Sequence, residues 1–322
     1  MRILVIGGTR FIGPNVVLPL VAAGHEVTLF HRTASNSDLP EILGDRRNLT
    51  EYATQLRDLK PDVVVDMVAV VEGDGIGMVE VFSDYAKRVV LISSIDVYRA
   101  YGILIGKEDG PVEQTPITEQ SPLRTRLYPY RGGDHGRPIL DDYDKIPIER
   151  AICECRGFES VVLRLPMVYG PGDYQHRLLA NAKRIADGRP IILGESWANW
   201  KGSRGFVEDV GNAIAIAAIH PMAAGEIFNV AEPISHSEAE WVELMGGKSV
   251  VVKDSDLPDS LKQDGNPEQD LDASSDKIRE LLGYEEKASI SDAIAKTVDW
   301  ELAENQEPLD YSEEDKLLDS RK

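Results

Sequence analysis

The chain has 322 residues, of which 42% are hydrophobic and 28% charged, a balance that supports a full core and excludes wholesale disorder. Its formal net charge of −20 repels phosphate backbones and anionic lipid heads, which counts against nucleic-acid and membrane partners. Two cysteines, Cys153 and Cys155, lie two positions apart with no second Cys/His cluster, so they read as reduced packing thiols and not as a metal site.

The chain opens on Arg2-Ile-Leu-Val-Ile6, a short buried strand that runs into glycines. It lacks the long apolar stretch of a signal peptide, and no run approaches a membrane span, so a cytoplasmic location is expected. Phe11 to Ala23 is apolar at helical spacing, and Val27 to Phe30 is a second strand. Leu49 to Leu59 predicts one amphipathic helix, followed by the strand Asp62-Val-Val-Val-Asp66. A further helical stretch leads to the strand Arg88-Val-Val-Leu-Ile-Ser93. Near-continuous apolar strands separated by helices require a parallel sheet covered on both faces. Right-handed crossovers then make that sheet doubly wound.

From Glu108 to Pro138 the pattern breaks into a segment rich in Pro, Gly and Arg, a length of loop that is usually functional or mobile. Helix returns from Asp144 to Arg156, then a strand from Ser160 to Arg164. Beyond Gly170 come a helix from Arg177 to Asp187, a strand from Pro190 to Leu193, a helix from Val207 to Ile219 and a strand from Glu226 to Val230. The stretch from Ser235 to Lys296 is more polar and mixed. The acidic tail from Glu301 either packs loosely or ends in one amphipathic helix around Tyr311 to Leu318.

The run Gly7-Gly-Thr-Arg-Phe-Ile-Gly13 sits between a strand and a helix, the context that gives a glycine motif meaning. Gly7 permits a tight turn, Gly13 permits close packing of helix on strand, and N–H groups at the helix start face a pyrophosphate. Gly7, Gly8, Thr9, Arg10, Phe11, Ile12 and Gly13 are therefore the expected dinucleotide-binding turn of a Rossmann sheet. The expected organisation is a dinucleotide-binding domain over 1–170 and a smaller C-terminal α/β substrate domain over 171–300. Residues 205–230 return to the first domain, and 301–322 form the tail.

This turn resembles the fingerprint of the extended short-chain dehydrogenases/reductases, the NAD-dependent epimerase/dehydratase family. Arg10 occupies the usual middle glycine, as in the atypical branch that includes chloroplast stem-loop-binding proteins. At the end of the second strand stands His31-Arg32, where a carboxylate would bond a ribose 2′-OH. Arg32, with Arg10, suits a 2′-phosphate, so NADP is favoured over NAD. Gly44-Asp45-Arg46 resembles the family motif whose Asp contacts the adenine amino group, which implies Asp45 and Arg46 beside the cofactor.

Family members place a Ser or Thr at the end of a central strand and Tyr-x-x-x-Lys on the next helix, with Tyr as general acid/base. Ile92-Ser-Ser-Ile-Asp-Val-Tyr98 resembles the first element, implying Ser94 as the substrate-bonding hydroxyl and Asp96 where sugar dehydratases carry an acid. The second element departs from the pattern. Asp141-Asp-Tyr-Asp-Lys-Ile-Pro-Ile-Glu149 keeps Lys145 and Glu149 in register but puts Asp141 at the tyrosine position and a tyrosine at 143. On a regular helix, residues two apart face nearly opposite sides. Pro147 belongs in a first turn, so the helix is expected to start near Asp144 with Tyr143 in irregular backbone. Three readings stand: Tyr143 is a displaced acid/base, Asp141 or another residue replaces it, or the site binds cofactor without turnover. Lys145 is the expected anchor of the ribose and nicotinamide.

Arg164-Leu-Pro-Met-Val-Tyr-Gly-Pro-Gly-Asp173 resembles the family's crossing between domains, implying Pro166 and Met167 near the nicotinamide. Arg204-Gly-Phe-Val-Glu-Asp-Val210 resembles an element whose Arg often meets a substrate phosphate, and Gly225 to Val230 resembles the family's Gly-x-x-Tyr-Asn-Val strand. Trp197 and Trp200 are candidates to stack on a sugar or base, or else pack a seam, and His176 is a candidate substrate ligand. The leading expectation is an oxidoreductase, epimerase or dehydratase that uses NADP or NAD on a hydroxylated, sugar-like or nucleotide-sugar substrate. The alternative is a degenerate cofactor-binding sensor or scaffold, with RNA binding a distant third. The resemblance also implies a homodimer through the helix carrying Lys145.

Overall fold

The computed structural model describes residues 1–133, 136–305 and 307–321. In chain order the strands are β1 (Arg2–Ile6), β2 (Glu26–His31), β3 (Glu41–Leu43), β4 (Val63–Asp66), β5 (Arg88–Ser94), β6 (Glu159–Leu165), β7 (Met167–Tyr169), β8 (Ile191–Gly194), β9 (Arg204–Phe206), β10 (Ile227–Asn229) and β11 (Ser249–Val252). The helices are α1 (Ile12–Ala22), α2 (Ala53–Asp58), α3 (Glu72–Phe82), α4 (Arg99–Leu104), α5 (Lys145–Glu154) and α6 (Leu179–Ala186). They continue with α7 (Val207–Ile219), α8 (Glu238–Leu244), α9 (Asp276–Leu282), α10 (Ile290–Glu304) and α11 (Ser312–Asp319).

Seven strands form one parallel sheet in the order β10-β6-β5-β4-β1-β2-β3. The chain runs outward from β1 to β3, then returns to start again at β4. This places a topological switch point between β1 and β4, where ligands of open α/β sheets bind beyond the strand carboxyl ends. Period-two alternation divides the core. Ile3 and Val5 of β1 join the cluster that includes Val16 and Leu20 of α1 and Ala213 and Ile214 of α7. Leu4 and Ile6 join the opposite cluster, with Met78 and Phe82 of α3 and Ile148 and Ile152 of α5. Two small parallel pairs, β7 with β9 and β8 with β11, lie outside the main sheet.

Three local expectations need correction. Leu49 to Leu59 is not one helix: a 3-10 turn over Arg46–Tyr52, bent at Asn48, precedes α2. The side chain of Asp45 caps that turn on the Arg47 N–H while Arg46 is drawn inward, so a regular helix cannot start earlier. The helix expected from Arg177 starts at Leu179, because Arg177 is held by Asp173 and by the Val168 carbonyl. Of the two readings of the tail, the amphipathic helix is the one observed, as α11: Glu314 is buried against Arg184, and Leu317 and Leu318 pack on the cluster of Ile192, Val252 and Leu257. Cys153 is exposed on α5 and stands outside the core clusters, while Cys155 touches the second one. Among the described residues no helix is long and apolar enough to cross a membrane.

Candidate active site

The turn after β1 is shaped by backbone contacts that only glycine allows. Gly7 has φ +86°, a left-handed conformation disfavoured for side chains. A Cβ on Gly13 would sit 2.5 Å from the backbone carbon of Gly8, so helix and turn could not approach as they do. Phe11, immediately before α1, also has a positive φ of 49°. A non-glycine residue there is sparsely populated elsewhere and marks a turn held by its surroundings.

This turn opens onto a cavity of about 420 Å³ at the carboxyl ends of β1, β2 and β3. Gly7, Thr9, Arg10, Arg32, Asp45 and Val68 are among the residues that line it. No carboxylate stands at residue 32, and the neighbouring His31 faces Glu41 at 3.2 Å. Arg10 and Arg32 are exposed, and among the described residues neither guanidinium makes a hydrogen bond or ion pair. Asp45 is held by Arg47, which keeps its carboxyl down at about 2, well below the usual carboxylate range. Arg46 lines the same wall but is buried, with Nε donating to Asp66 at 2.7 Å and a second ion pair to Asp74 at 3.4 Å. Its charge ties the turn to β4 and α3.

The second group of residues gathers where β5 ends and α5 begins. Asp144 caps α5, accepting the Ile146 N–H at 2.9 Å, so the helix starts at Lys145 and Pro147 falls in its first turn. Tyr143 therefore has extended backbone (φ −67°, ψ 121°), and helical spacing does not govern its side chain. Its phenol reaches the short 3-10 turn that follows β5 and donates to Asp96 Oδ2 at 2.7 Å. Ser94 is half-buried beside them, its Oγ accepting the Asp96 N–H at 3.2 Å. Lys145 is buried, its ammonium donating to the carbonyls of Ala69 and Ile92 and lying 5.8 Å from the centre of the Tyr143 ring.

Burial dominates the electrostatics here. It raises the Asp96 carboxyl, against the Tyr143 hydrogen bond and the charges of Arg124 and Lys145. It raises the Tyr143 phenol, and nearby Asp96 adds to that. It lowers the Lys145 ammonium, against the attraction of Asp96, Asp66 and Asp74. The other oxygen of Asp96, Oδ1, is buried with no partner among the described residues.

Several supports were not legible in the sequence. Arg124, inside the Pro/Gly/Arg-rich segment, is buried and donates to the Asp96 carbonyl at 2.6 Å and to Asp144 at 3.0 Å. Tyr130 of the same segment meets Tyr101 oxygen to oxygen at 2.6 Å and packs on Tyr143 with ring centres 5.4 Å apart. Behind them, Glu149 accepts from Ser93 and from both forks of Arg164, which also reaches the Tyr98 hydroxyl at 2.9 Å. That buried network clamps α5 to β5 and β6.

Other expected residues stand elsewhere. Asp141 accepts the Gly132 N–H at 2.8 Å on a short 3-10 turn, so its carboxylate is directed to the loop and does not take the place of Tyr143. Pro166 and Met167 are the exception, since they follow Leu165, the register partner of Ser94, and Met167 packs on the cluster that contains Ile95, Val97 and Ile146. Trp200 is buried with its indole N–H on the Gln269 carbonyl at 2.8 Å, and Trp197 packs edge-on against it, so the pair fills a seam. His176 bonds Glu301 at 2.7 Å and stacks on Trp300, against α10. Arg204 pairs with Glu238 through Nη2 and lies over the Trp241 ring at 4.5 Å, while its Nη1 is buried with no partner among the described residues.

A family model for the NAD dependent epimerase/dehydratase family matches residues 3–93 and 147–231, more than half of the chain. The chain belongs to the NAD dependent epimerase/dehydratase family. Ser94, Asp96, Tyr143 and Lys145 lie between the two matched stretches. The UDP-glucose 4-epimerase of Lactobacillus helveticus is 26% identical over 345 residues, covering 93% of this chain and 97% of that protein. The chloroplast stem-loop binding protein of 41 kDa b of Arabidopsis thaliana is 23% identical over 351 residues, covering 99% of this chain and 85% of that protein. Among solved structures, the dTDP-glucose 4,6-dehydratase of Bacillus anthracis str. Ames, in complex with NAD, superposes with a TM-score of 0.68 at 18% identity. That superposition covers 95% of this chain and 97% of the dehydratase. The doubly wound Rossmann sheet expected from the sequence is the fold observed.

Proposed function

We propose that this chain is a nicotinamide-dependent enzyme that oxidises or reduces a carbinol carbon of a hydroxylated, sugar-like substrate, with Tyr143 and Asp96 moving the proton. The observation that carries this reading is the 2.7 Å hydrogen bond from Tyr143 to Asp96 at the carboxyl end of β5. The turn from Gly7 to Gly13 and the cavity beside it fit a dinucleotide, because a glycine turn with no room for a side chain at Gly7 or Gly13, set at the start of α1, is a helix N-terminus of the kind that takes a pyrophosphate. Arg10 and Arg32 favour NADP, being cations on the cavity wall where an acid would select NAD. Asp45 borders the adenine side.

A bound nicotinamide supplies the hydride acceptor and donor at the carbinol carbon. In the oxidising direction the substrate hydroxyl gives its proton to the Tyr143 oxygen as the phenolic proton passes to Asp96. In the reducing direction both protons return. Burial makes Asp96 a stronger base than an exposed carboxylate, and a buried phenol stays protonated until its neighbour takes the proton. Ser94 orients the substrate hydroxyl, Lys145 holds the nicotinamide ribose side, and residues from 171 to 300 form most of the substrate wall. Relatives named as an epimerase of UDP-glucose and a dehydratase of dTDP-glucose make sugar nucleotides the first substrates to try.

One observation favours a second reading, cofactor binding without turnover. The Lys145 ammonium is engaged by two carbonyls and not by the tyrosine oxygen. Fluorescence titration with NADPH and NADH, followed by nicotinamide absorbance across free sugars, UDP-sugars and dTDP-sugars, separates the two. Binding with an absorbance change supports the enzyme. Binding with no change across the panel supports the second reading, and binding of neither cofactor overturns both.

A further inference from the structure

A second cavity, of about 240 Å³, lies beyond the carboxyl end of β10, at the sheet edge opposite the β1–β3 cavity. Its walls come from four parts of the chain: Phe206 and Asp209 at the start of α7, Glu232 to His236 after β10, Glu286, and the first turn of α10. The apolar part is supplied by Phe206, Pro233, Ile234 and Ile290. Ile234 stands at the mouth, 63% exposed. The charged part is one-sided, since Asp209, Glu232 and Glu286 line the cavity and no Lys or Arg does.

These three carboxylates are not equivalent. Asp209 accepts the Lys287 N–H at 2.8 Å, and Glu286 is paired with Arg279. Glu232 accepts the Tyr169 hydroxyl on Oε1 at 2.8 Å, while its Oε2 is buried with no partner among the described residues. Arg204 stands close enough to attract Glu232, but its Nη2 is bridged to Glu238 and its Nη1 is buried with no hydrogen-bond partner among the described residues, so it does not satisfy Oε2. A buried acceptor left unsatisfied is unfavourable, and a donor delivered from outside would relieve it.

We infer that this cavity is a binding site for a small organic ammonium ion, its apolar body against Phe206 and Ile290 and its N–H donors on Glu232 Oε2. The chemistry follows from complementarity. An anion would meet three carboxylates, a neutral alcohol would leave the charge unmatched, and a bare metal ion would find apolar walls on most sides. Among the described residues no His/Cys/Asp/Glu group has the arrangement of a metal site. The site is separate from the cofactor cavity, so its occupation does not require the proposed reaction.

Glu232 also gives the site a pH signature. Burial, with Glu286 and Asp209 adding repulsion, lifts its carboxyl to about 7, against the Tyr169 hydrogen bond and the charge of Arg204. His236 faces the same space. Ammonium binding therefore strengthens as pH rises through neutrality and Glu232 ionises.

The test is titration of the full chain, by calorimetry and tryptophan fluorescence, with cyclohexylamine, cyclohexanol and cyclohexanecarboxylate as probes. The amine is expected to bind at least about tenfold more tightly than the alcohol, and the carboxylate not at all. Glu232→Gln, which keeps shape and an acceptor for Tyr169, should lower amine affinity by about tenfold and abolish its pH dependence. Ile234→Lys, at an exposed position that leaves the fold alone, should abolish amine binding. Equal binding of amine and alcohol, absence of amine binding, or amine binding unchanged in both variants would overturn the inference.

Discussion

Tyr143 and Asp96 lie 47 positions apart in sequence and meet through a 2.7 Å hydrogen bond in which the phenol is donor. The contact exists because Asp144 caps α5 one residue before Lys145, which leaves Tyr143 in extended backbone and frees its ring to cross to the turn after β5. Tyrosine and lysine are thereby divided between tasks. The tyrosine faces an acid, and the lysine is bonded to strand and loop carbonyls beneath it.

Lys145 acts on Asp96 through charge, and this fixes the sign of a pH effect. Its ammonium lowers the Asp96 carboxyl, opposing burial. Lys145→Met should raise Asp96 further and move the acidic limb of the pH–rate profile to higher pH, since Asp96 must be ionised to accept a proton. A limb that stays in place in the variant would show that Asp96 is not the titrating base.

The proposed preference for NADP rests on two exposed arginines. Arg32→Ala and Arg10→Ala should each weaken NADPH by about tenfold while leaving NADH within about twofold, read by fluorescence titration at fixed salt. Equal losses for both cofactors would mean that the arginines act on the shared pyrophosphate and not on the 2′-phosphate.

The Arg124–Asp144 pair is wholly buried, both side chains 0% exposed, and Asp144 also caps α5 and accepts the Tyr128 N–H at 2.6 Å. Arg124→Met strands a buried carboxylate, so unfolding stability should fall by about 3–5 kcal/mol. Denaturant melts of variant and parent give the number. A loss below about 1 kcal/mol would place the pair in water in solution.

Glu232 should leave a trace in stability as well as in binding. Its carboxyl is about 7 when folded, against an ordinary value of 4.5, so between these values the folded chain holds more protons than the unfolded one. Its contribution to stability is therefore greatest below pH 4.5 and is lost as pH rises through 7. Glu232→Gln should gain stability relative to the parent as pH is raised from 4.5 to 8. A difference that does not change across that window would contradict the buried, uncompensated state of Glu232.

The parallel sheet was legible because its strands are buried on both faces and read as unbroken apolar runs, such as Val63 to Val65. The start of α5 was legible because a proline fits a first turn and an aspartate caps it. Partners across long separations were not. Nothing local in the sequence says that Arg46 turns inward to Asp66, that His176 is taken by Glu301, or that Arg204 is matched by Glu238. Arg46 and Arg204 are expected to meet a ligand from their places in motifs and His176 as an isolated candidate, and in each the tertiary neighbour decides where the charge goes. Arg124 and Tyr130 sit in a segment with no periodicity, so pattern could not reveal that they brace Asp96 and Tyr143.

The most direct measurement is single-turnover hydride transfer on a sugar substrate that gives a nicotinamide signal with the parent chain, repeated with Tyr143→Phe and Asp96→Asn. Both variants should bind cofactor as the parent does and lose about 10²–10⁴ in the rate of the absorbance change. A Tyr143→Phe or Asp96→Asn chain that transfers hydride at the parent rate would contradict the assignment of this pair as the proton path.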